Sequence, residues 1–233
     1  MTARYAVYYA PPPAHPLTGL ASAWLGRDAW TGAEVARPVL DGLALDADAQ
    51  TALIADPRHY GFHATLKAPF ELADGQTEAG LLAAFEAFAA SQAGFAAEIA
   101  VTGLSGFVAL TLAQPCPAMT ALHSACVHAF EPYRAPLSAA DLVRRRRAPM
   151  TAEQDARLVA FGYPWIFEDF RFHMTLTGRV RDDALRHHII AALGTYLAPA
   201  TGTHAFAQLC LFRQPQRDAA FQVMAAAPLA SHG

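Results

Sequence analysis

Two short words carry the chemistry of this chain. Phe62-His63-Ala64-Thr65-Leu66 and Phe172-His173-Met174-Thr175-Leu176 share the pattern Phe-His-x-Thr-Leu. A single His-x-Thr arises by chance. Two copies with the same flanks, each followed by a helix and two strands, are a much stronger signal. In an extended strand alternate side chains point to opposite faces. Phe62, Ala64 and Leu66 then face a core, as do Phe172, Met174 and Leu176. Gly61, His63, Thr65 and Lys67 share the other face, as do Arg171, His173, Thr175 and Thr177. Facing each other, these polar sides would line one cleft with two imidazoles, two hydroxyls, an ammonium and a guanidinium.

That set suits a phosphodiester. Two imidazoles can act as base and acid because their unperturbed pKa lies near neutrality. One takes a proton from an attacking water, and the other gives a proton to the leaving alkoxide. Thr65 and Thr175 hold the non-bridging oxygens, and Lys67 and Arg171 neutralise phosphate charge. Acid–base work and charge stabilisation are both covered, so the expectation is a reaction without metal or cofactor. The near-symmetry leaves open which histidine is the base.

Each assignment has a plainer counterpart. A lone strand histidine is ordinarily structural, and the duplication overturns that for His63 and His173. Lys67 could be an exposed strand-end lysine, and Arg171 is balanced between the two readings. Arg144-Arg145-Arg146-Arg147 reads as a solvated charge run in a loop, with one member reaching the cleft as a phosphate clamp. Among the aromatics Tyr5, Tyr8, Tyr9, Tyr60, Tyr163 and Trp165, most belong to the core. Tyr8, Tyr60 and Tyr163 are the candidates for contact with substrate. His187-His188 are neighbours on a helix, where side chains diverge, and make a poor metal pair.

The elements that must position these residues follow from patterning. Tyr5 to Ala10 is a strand ended by Pro11-Pro12-Pro13, which lack the N–H a ladder needs. Leu17 to Gly26 and Asp46 to Ala55 read as short helices, with Asp56-Pro57 as punctuation. Phe62 to Phe70 reads as a strand, and Thr77 to Ala90 as a helix with Thr77 as N-cap. Phe95 to Val101 and Phe107 to Leu112 are strands, and Pro117 to Phe130 a helix. Pro132 to Ala148 reads as irregular. Thr151 to Phe161 is a helix opened by a capping box with Gln154. Phe170 to Thr177 is a strand, Asp182 to Leu197 a helix, and His204 to Phe212 and Phe221 to Ala226 are strands. The pattern predicts an α+β chain with antiparallel sheets and the look of a diverged duplication.

The paired motifs resemble those of the 2H phosphoesterase superfamily, the LigT-like or cyclic phosphodiesterase fold. The words Arg58 to Phe70 and Phe170 to Gly178, with Arg4 to Pro11 and Gly162-Tyr163-Pro164-Trp165, are similar to one branch of it, found in bacterial phosphonate-utilisation operons. The resemblance spans nearly the whole chain. It implies a single bilobed domain over residues 1–233, with pseudo-twofold symmetry, an antiparallel sheet in each lobe, outer helices and a central cleft. The two halves would run over about 1–115 and 116–233, with strand exchange between lobes left open. It implies His63 and His173 as the acid–base pair and Thr65 and Thr175 as phosphate ligands. It also implies activity on cyclic phosphates or 2′–5′ linkages. A cyclic ribose phosphate from phosphonate breakdown is the substrate suggested by that setting.

Composition sets the remaining bounds. The chain has 233 residues, 54% hydrophobic and 16% charged, with a net charge of -3. That is the reverse of a disordered chain. Mild acidity argues against gripping long nucleic acid, which needs many phosphate contacts. An enzyme of short 2′,3′-cyclic or 2′–5′ RNA ends is one alternative, and a non-catalytic cyclic-phosphate or nucleotide binding protein another. The expected partner is a small phosphorylated substrate, with the oligomeric state open. Cys116, Cys126 and Cys210 are odd in number and without CxxC spacing, which points to a reducing compartment, the cytoplasm. No signal peptide and no membrane-spanning run is read.

Overall fold

The computed structural model describes residues 3–43 and 45–231. β1 (Arg4–Tyr9) is followed by α1 (Pro16–Leu25), with proline in the first turn, and by α2 (Ala47–Tyr60), capped by the Asp46 carboxylate. Then come β2 (Ala64–Glu71), α3 (Glu78–Ser91), β3 (Phe95–Leu104), β4 (Phe107–Leu112) and α4 (Pro117–Ala129). The rest comprises α5 (Ala139–Arg145), α6 (Ala152–Phe161), β5 (His173–Thr175), α7 (Asp183–Leu197), β6 (Gly202–Phe206), β7 (Gln208–Gln214) and β8 (Gln222–Pro228). Thr77 caps α3, and the Thr151–Gln154 capping box opens α6.

Four segments differ from the pattern-based expectation. α2 continues through Asp56-Pro57 to Tyr60. Pro57 has no N–H to give to the Leu53 carbonyl. The Gly178 N–H takes that carbonyl instead, at 2.6 Å, which ties α2 to the end of the second motif. The stretch 132–148 contains α5, nucleated by Ser138, whose hydroxyl accepts from the Asp141 N–H. The second motif strand is only His173–Thr175. The segment from His204 to Phe212 is two strands that part at Ala207.

The eight strands form one sheet in the order β6-β3-β4-β5-β2-β1-β7-β8. All neighbouring strands pair antiparallel. Its two four-stranded halves join at a single register pair, Ala64↔Met174, between the two motif strands. Each half mixes earlier and later strands: β2 and β1 lie beside β7 and β8, and β3 and β4 beside β5 and β6. β6 and β7 sit in opposite halves yet are one residue apart in sequence, so the sheet curls. Gly94 near one edge accordingly donates to the Ala230 carbonyl past the other.

α3, α4 and α7 pack on one face of the sheet. Tyr5, Val7 and Tyr9 of β1 point into this large core, with Phe62, Ala64, Leu66, Phe172, Met174 and Leu176. The core-facing sets expected from alternation are therefore the observed ones. Fully burying each such Phe, Leu or Met stabilises by about 1.5–3 kcal/mol. Ala6, Tyr8 and Ala10 point to the other face, where Cys210, Phe212 and Phe221 form a second, smaller cluster. Among the described residues, no helix is long and apolar enough to cross a membrane.

Candidate active site

The first motif is set by the end of α2. Gly61 caps that helix at φ 77°, in the left-handed region that favours glycine. A Cβ there would lie 2.4 Å from the Cβ of Ala29. Both constraints hold the chain in the path that turns Gly61 O toward His63. The His63 Nδ1 lies 2.9 Å from that carbonyl. A carbonyl only accepts, so Nδ1 carries the proton and Nε2 keeps its lone pair. Nε2 in turn lies 3.3 Å from Thr65 Oγ1.

The second motif repeats the device. His173 Nδ1 donates to the Arg171 carbonyl at 2.7 Å, again two residues upstream. Its strand is held by Trp24, whose indole N–H donates to Leu176 O at 2.7 Å, and by Thr177, whose hydroxyl accepts from the Val108 N–H. Both imidazoles thus have Nδ1 held by a backbone carbonyl and Nε2 left to side-chain and ligand contacts.

His63, Thr65, His173 and Thr175 line one cavity of about 520 Å³, with Tyr8, Tyr60 and Tyr163. Four arginines, Arg4, Arg144, Arg145 and Arg217, complete its polar wall, and among the described residues no carboxylate lines it. Burial lowers the His63 pKa to about 4; its bond to Gly61 O opposes this and the neighbouring His173 adds to it. Burial also lowers His173, opposed by its bond to Arg171 O. Both rings are therefore neutral near neutral pH, and a bound anion would restore their affinity for a proton.

Two expected members lie elsewhere. Lys67 is 2% exposed and faces α4, where its Nζ donates to Glu131 and to the Val127 carbonyl. The cause is a β-bulge. Val7 pairs with Lys67 and Tyr8 with Thr65, so one step on β1 spans two on β2. The extra residue breaks the alternation and turns Lys67 away from the cleft. Arg171 donates to the carbonyls of Glu168 and Phe170 and borders neighbouring cavities rather than this one. With only three residues in β5, alternation does not extend back to it. Of the arginine run, Arg144 and Arg145 reach the cavity from the last turn of α5, whereas Arg146 pairs with Asp155 and Arg147 does not line the cavity.

Arg4 and Arg217 were not legible as site residues. Arg217 lies between β7 and β8, with no motif around it. Arg4 is at the start of β1, and the pairing of β1 with β2 and β7 carries it to the cleft.

The family described as Protein of unknown function (DUF1045) matches residues 65–222. The chain belongs to this family. The DUF1045 match begins at Thr65 and takes in His173 and Thr175. Two curated relatives carry the name Ribose 1,5-bisphosphate phosphokinase PhnN. The protein from Janthinobacterium sp. (strain Marseille) is 41% identical over 79% of this chain and 39% of its own length. The one from Laribacter hongkongensis (strain HLHK9) is 36% identical over 94% of this chain and 50% of its own length. This DUF1045 chain thus spans half or less of the curated relatives it matches. Among solved structures it is similar to E. coli LigT complexed with NADP+, at 13% identity and TM-score 0.44, over 98% of this chain and 99% of that one.

Proposed function

We propose that this chain is a metal-independent phosphodiesterase that opens a small cyclic phosphate to a phosphomonoester. The observation that carries the reading is the doubled device at the sheet junction. Two histidines, each with Nδ1 held by the carbonyl two residues upstream, share one cavity with two threonines and an arginine wall.

The reaction balances on these groups. A water oxygen forms a bond to phosphorus while its proton passes to the Nε2 of one histidine. The bond from phosphorus to one ring oxygen breaks, and that oxygen takes the proton of the other histidine. Thr65 and Thr175 donate to the non-bridging oxygens. The fixed Nδ1 bonds keep both Nε2 atoms in place without rearrangement during reaction.

A cyclic ribose phosphate is the substrate class we favour. The cavity has the size of a small-molecule site, and the name the two relatives carry refers to a ribose phosphate. P-loop kinase chemistry needs a Gly-Lys-Ser/Thr word, whereas the one lysine of this chain, Lys67, follows Leu66.

The test is turnover of ribose 1,2-cyclic phosphate and nucleoside 2′,3′-cyclic phosphates in the presence of chelator. His63→Ala and His173→Ala should each lower kcat by at least about 100-fold. Full activity in either variant would overturn the assignment. Wild-type activity abolished by chelator would overturn metal independence.

A further inference from the structure

The arginine wall is more than a phosphodiester needs. A cyclic phosphodiester carries a single negative charge, which the threonines and a protonated histidine already meet. The four guanidiniums also lie away from the histidines. Arg4, Arg144, Arg145 and Arg217 are shared with an adjoining cavity of about 120 Å³, which none of the motif histidines or threonines touches. The histidine end opens instead on other cavities, one bordered by Tyr60, His63, His173 and Thr175, and one by Thr65, Tyr163 and His173. The main cavity thus has a catalytic end and a cationic end.

The charges at the cationic end do not cancel. Arg217 pairs with Glu71 and Asp141, and Arg144 pairs with Asp141. Two carboxylates therefore answer two guanidiniums. Arg4 gives its Nε to the neutral Gln214 side chain and lies over the Phe221 ring. Arg145 lies over the Tyr163 ring, and its buried Nε has no hydrogen-bond partner. Among the described residues, neither Arg4 nor Arg145 has a carboxylate partner within ion-pair distance. Burial also lowers the pKa of both. Two positive charges are left over, with planar donors that suit phosphate oxygens.

We infer that this end is a subsite for a second phosphate of the substrate, a terminal monoester dianion held chiefly by Arg4 and Arg145. The substrate class is then a small cyclic phosphodiester that also carries a phosphomonoester. This rests on the phosphodiesterase reading above and deepens it. Arg217 and Arg144, already anchored by Glu71 and Asp141, shape the rim. The uncompensated pair takes the dianion and leaves the cavity wall neutral once it is bound. The same contacts fix the cyclic phosphate at the histidine end, because a ligand pinned at one end has one way to lie.

The experiment compares two pairs of compounds: ribose 1,2-cyclic phosphate with and without a 5-phosphate, and adenosine 2′,3′-cyclic phosphate with and without a 5′-phosphate. Turnover and calorimetric binding are measured for wild type, Arg145→Gln and Arg145→Lys. Thermal melts establish that the variants are folded. In at least one pair the phosphorylated member should exceed its partner by about 100-fold in kcat/KM. Arg145→Gln should cut that ratio at least about tenfold, and Arg145→Lys should restore part of it. Equal turnover within both pairs would overturn the subsite and leave the phosphodiesterase reading standing. Phosphate-dependent binding that Arg145→Gln abolishes, without turnover of any compound, would support the subsite and overturn the phosphodiesterase reading. Equal or absent binding within both pairs, without turnover, would overturn both.

Discussion

The ring of Tyr8 stacks on the imidazole of His63, with centroids 3.9 Å apart and planes 25° from parallel. Tyr8 is the register partner of Thr65, and the equivalent partner of Thr175 in the other half-sheet is Ala109. Each motif threonine thus has a register partner in its own half-sheet, but the partners' side chains differ. His63 rests on a buried aromatic floor, whereas among the described residues His173 has only the tilted ring of Phe107, at 5.5 Å. This asymmetry suits His63 to the neutral base and His173 to the proton donor.

Tyr8 is then a positioning residue. Replacing it with Leu removes the stacking surface and lets water reach His63, so kcat should fall by about 10- to 100-fold. The His63 pKa should rise toward its ordinary value as burial is relieved. Tyr8→Phe keeps the ring and should keep most of the activity. Steady-state kinetics and NMR titration of the imidazoles read both effects. A Leu variant with unchanged kcat and an unmoved His63 would remove the floor from the account.

The depressed imidazoles also set a pH dependence. Burial brings His63 to about 4 and holds His173 below its usual 6.5. Catalysis needs one ring neutral and one protonated, a state most populated between the two values. The kcat/KM should therefore climb as pH falls from about 8 and decline again as pH nears about 4. Stability follows the same linkage. Between the unfolded value and the lowered folded one, the unfolded chain binds more protons. Stability is thus fully present above about pH 6.5 and is lost as pH falls toward about 4. Urea melts at several pH values test this, and an activity optimum above neutral pH would contradict it.

Gly61→Ala tests the cap that aims His63. The added Cβ meets that of Ala29 at 2.4 Å, in a left-handed conformation. With φ 77° and ψ 174°, Gly61 occupies a backbone region essentially reserved for glycine, which alone costs another residue about 1–3 kcal/mol, and the clash adds to it. A loss of at least about 2 kcal/mol in a urea melt is expected. The double variant with Ala29→Gly should recover the clash part only.

Lys67 gives a sharp contrast between a cleft lysine and a core lysine. Its ammonium lies 2.5 Å from Glu131 Oε2 beneath α4. Glu131→Ala leaves that cation buried and unpaired, at a cost of about 2–4 kcal/mol, somewhat reduced because Glu131 is partly exposed. Lys67→Met fills the space without a charge and leaves Glu131 paired with Arg134. Its kcat/KM should stay within about twofold of wild type, whereas loss of a phosphate-binding lysine would cost about tenfold or more.

The sequence by itself determined the motifs, the two motif faces and the helix caps. These are local properties: strand alternation assigns Ala64 and Thr65 to opposite sides wherever the strand lies, and Thr77 and Thr151 cap their own helices. Tertiary structure alone decided where alternation ends and what meets across the cleft. The bulge that turns Lys67 inward depends on the register with β1. Arg4, Arg145 and Arg217 come together from β1, α5 and the β7–β8 turn, which share no spacing in the chain. The aligned motifs differ in charge at Lys67 and Thr177, on the face expected to line the cleft. Pairing across the sheet puts the asymmetry at Tyr8 and Ala109 instead, because a side chain's neighbours are set by the partner strand and not by its own.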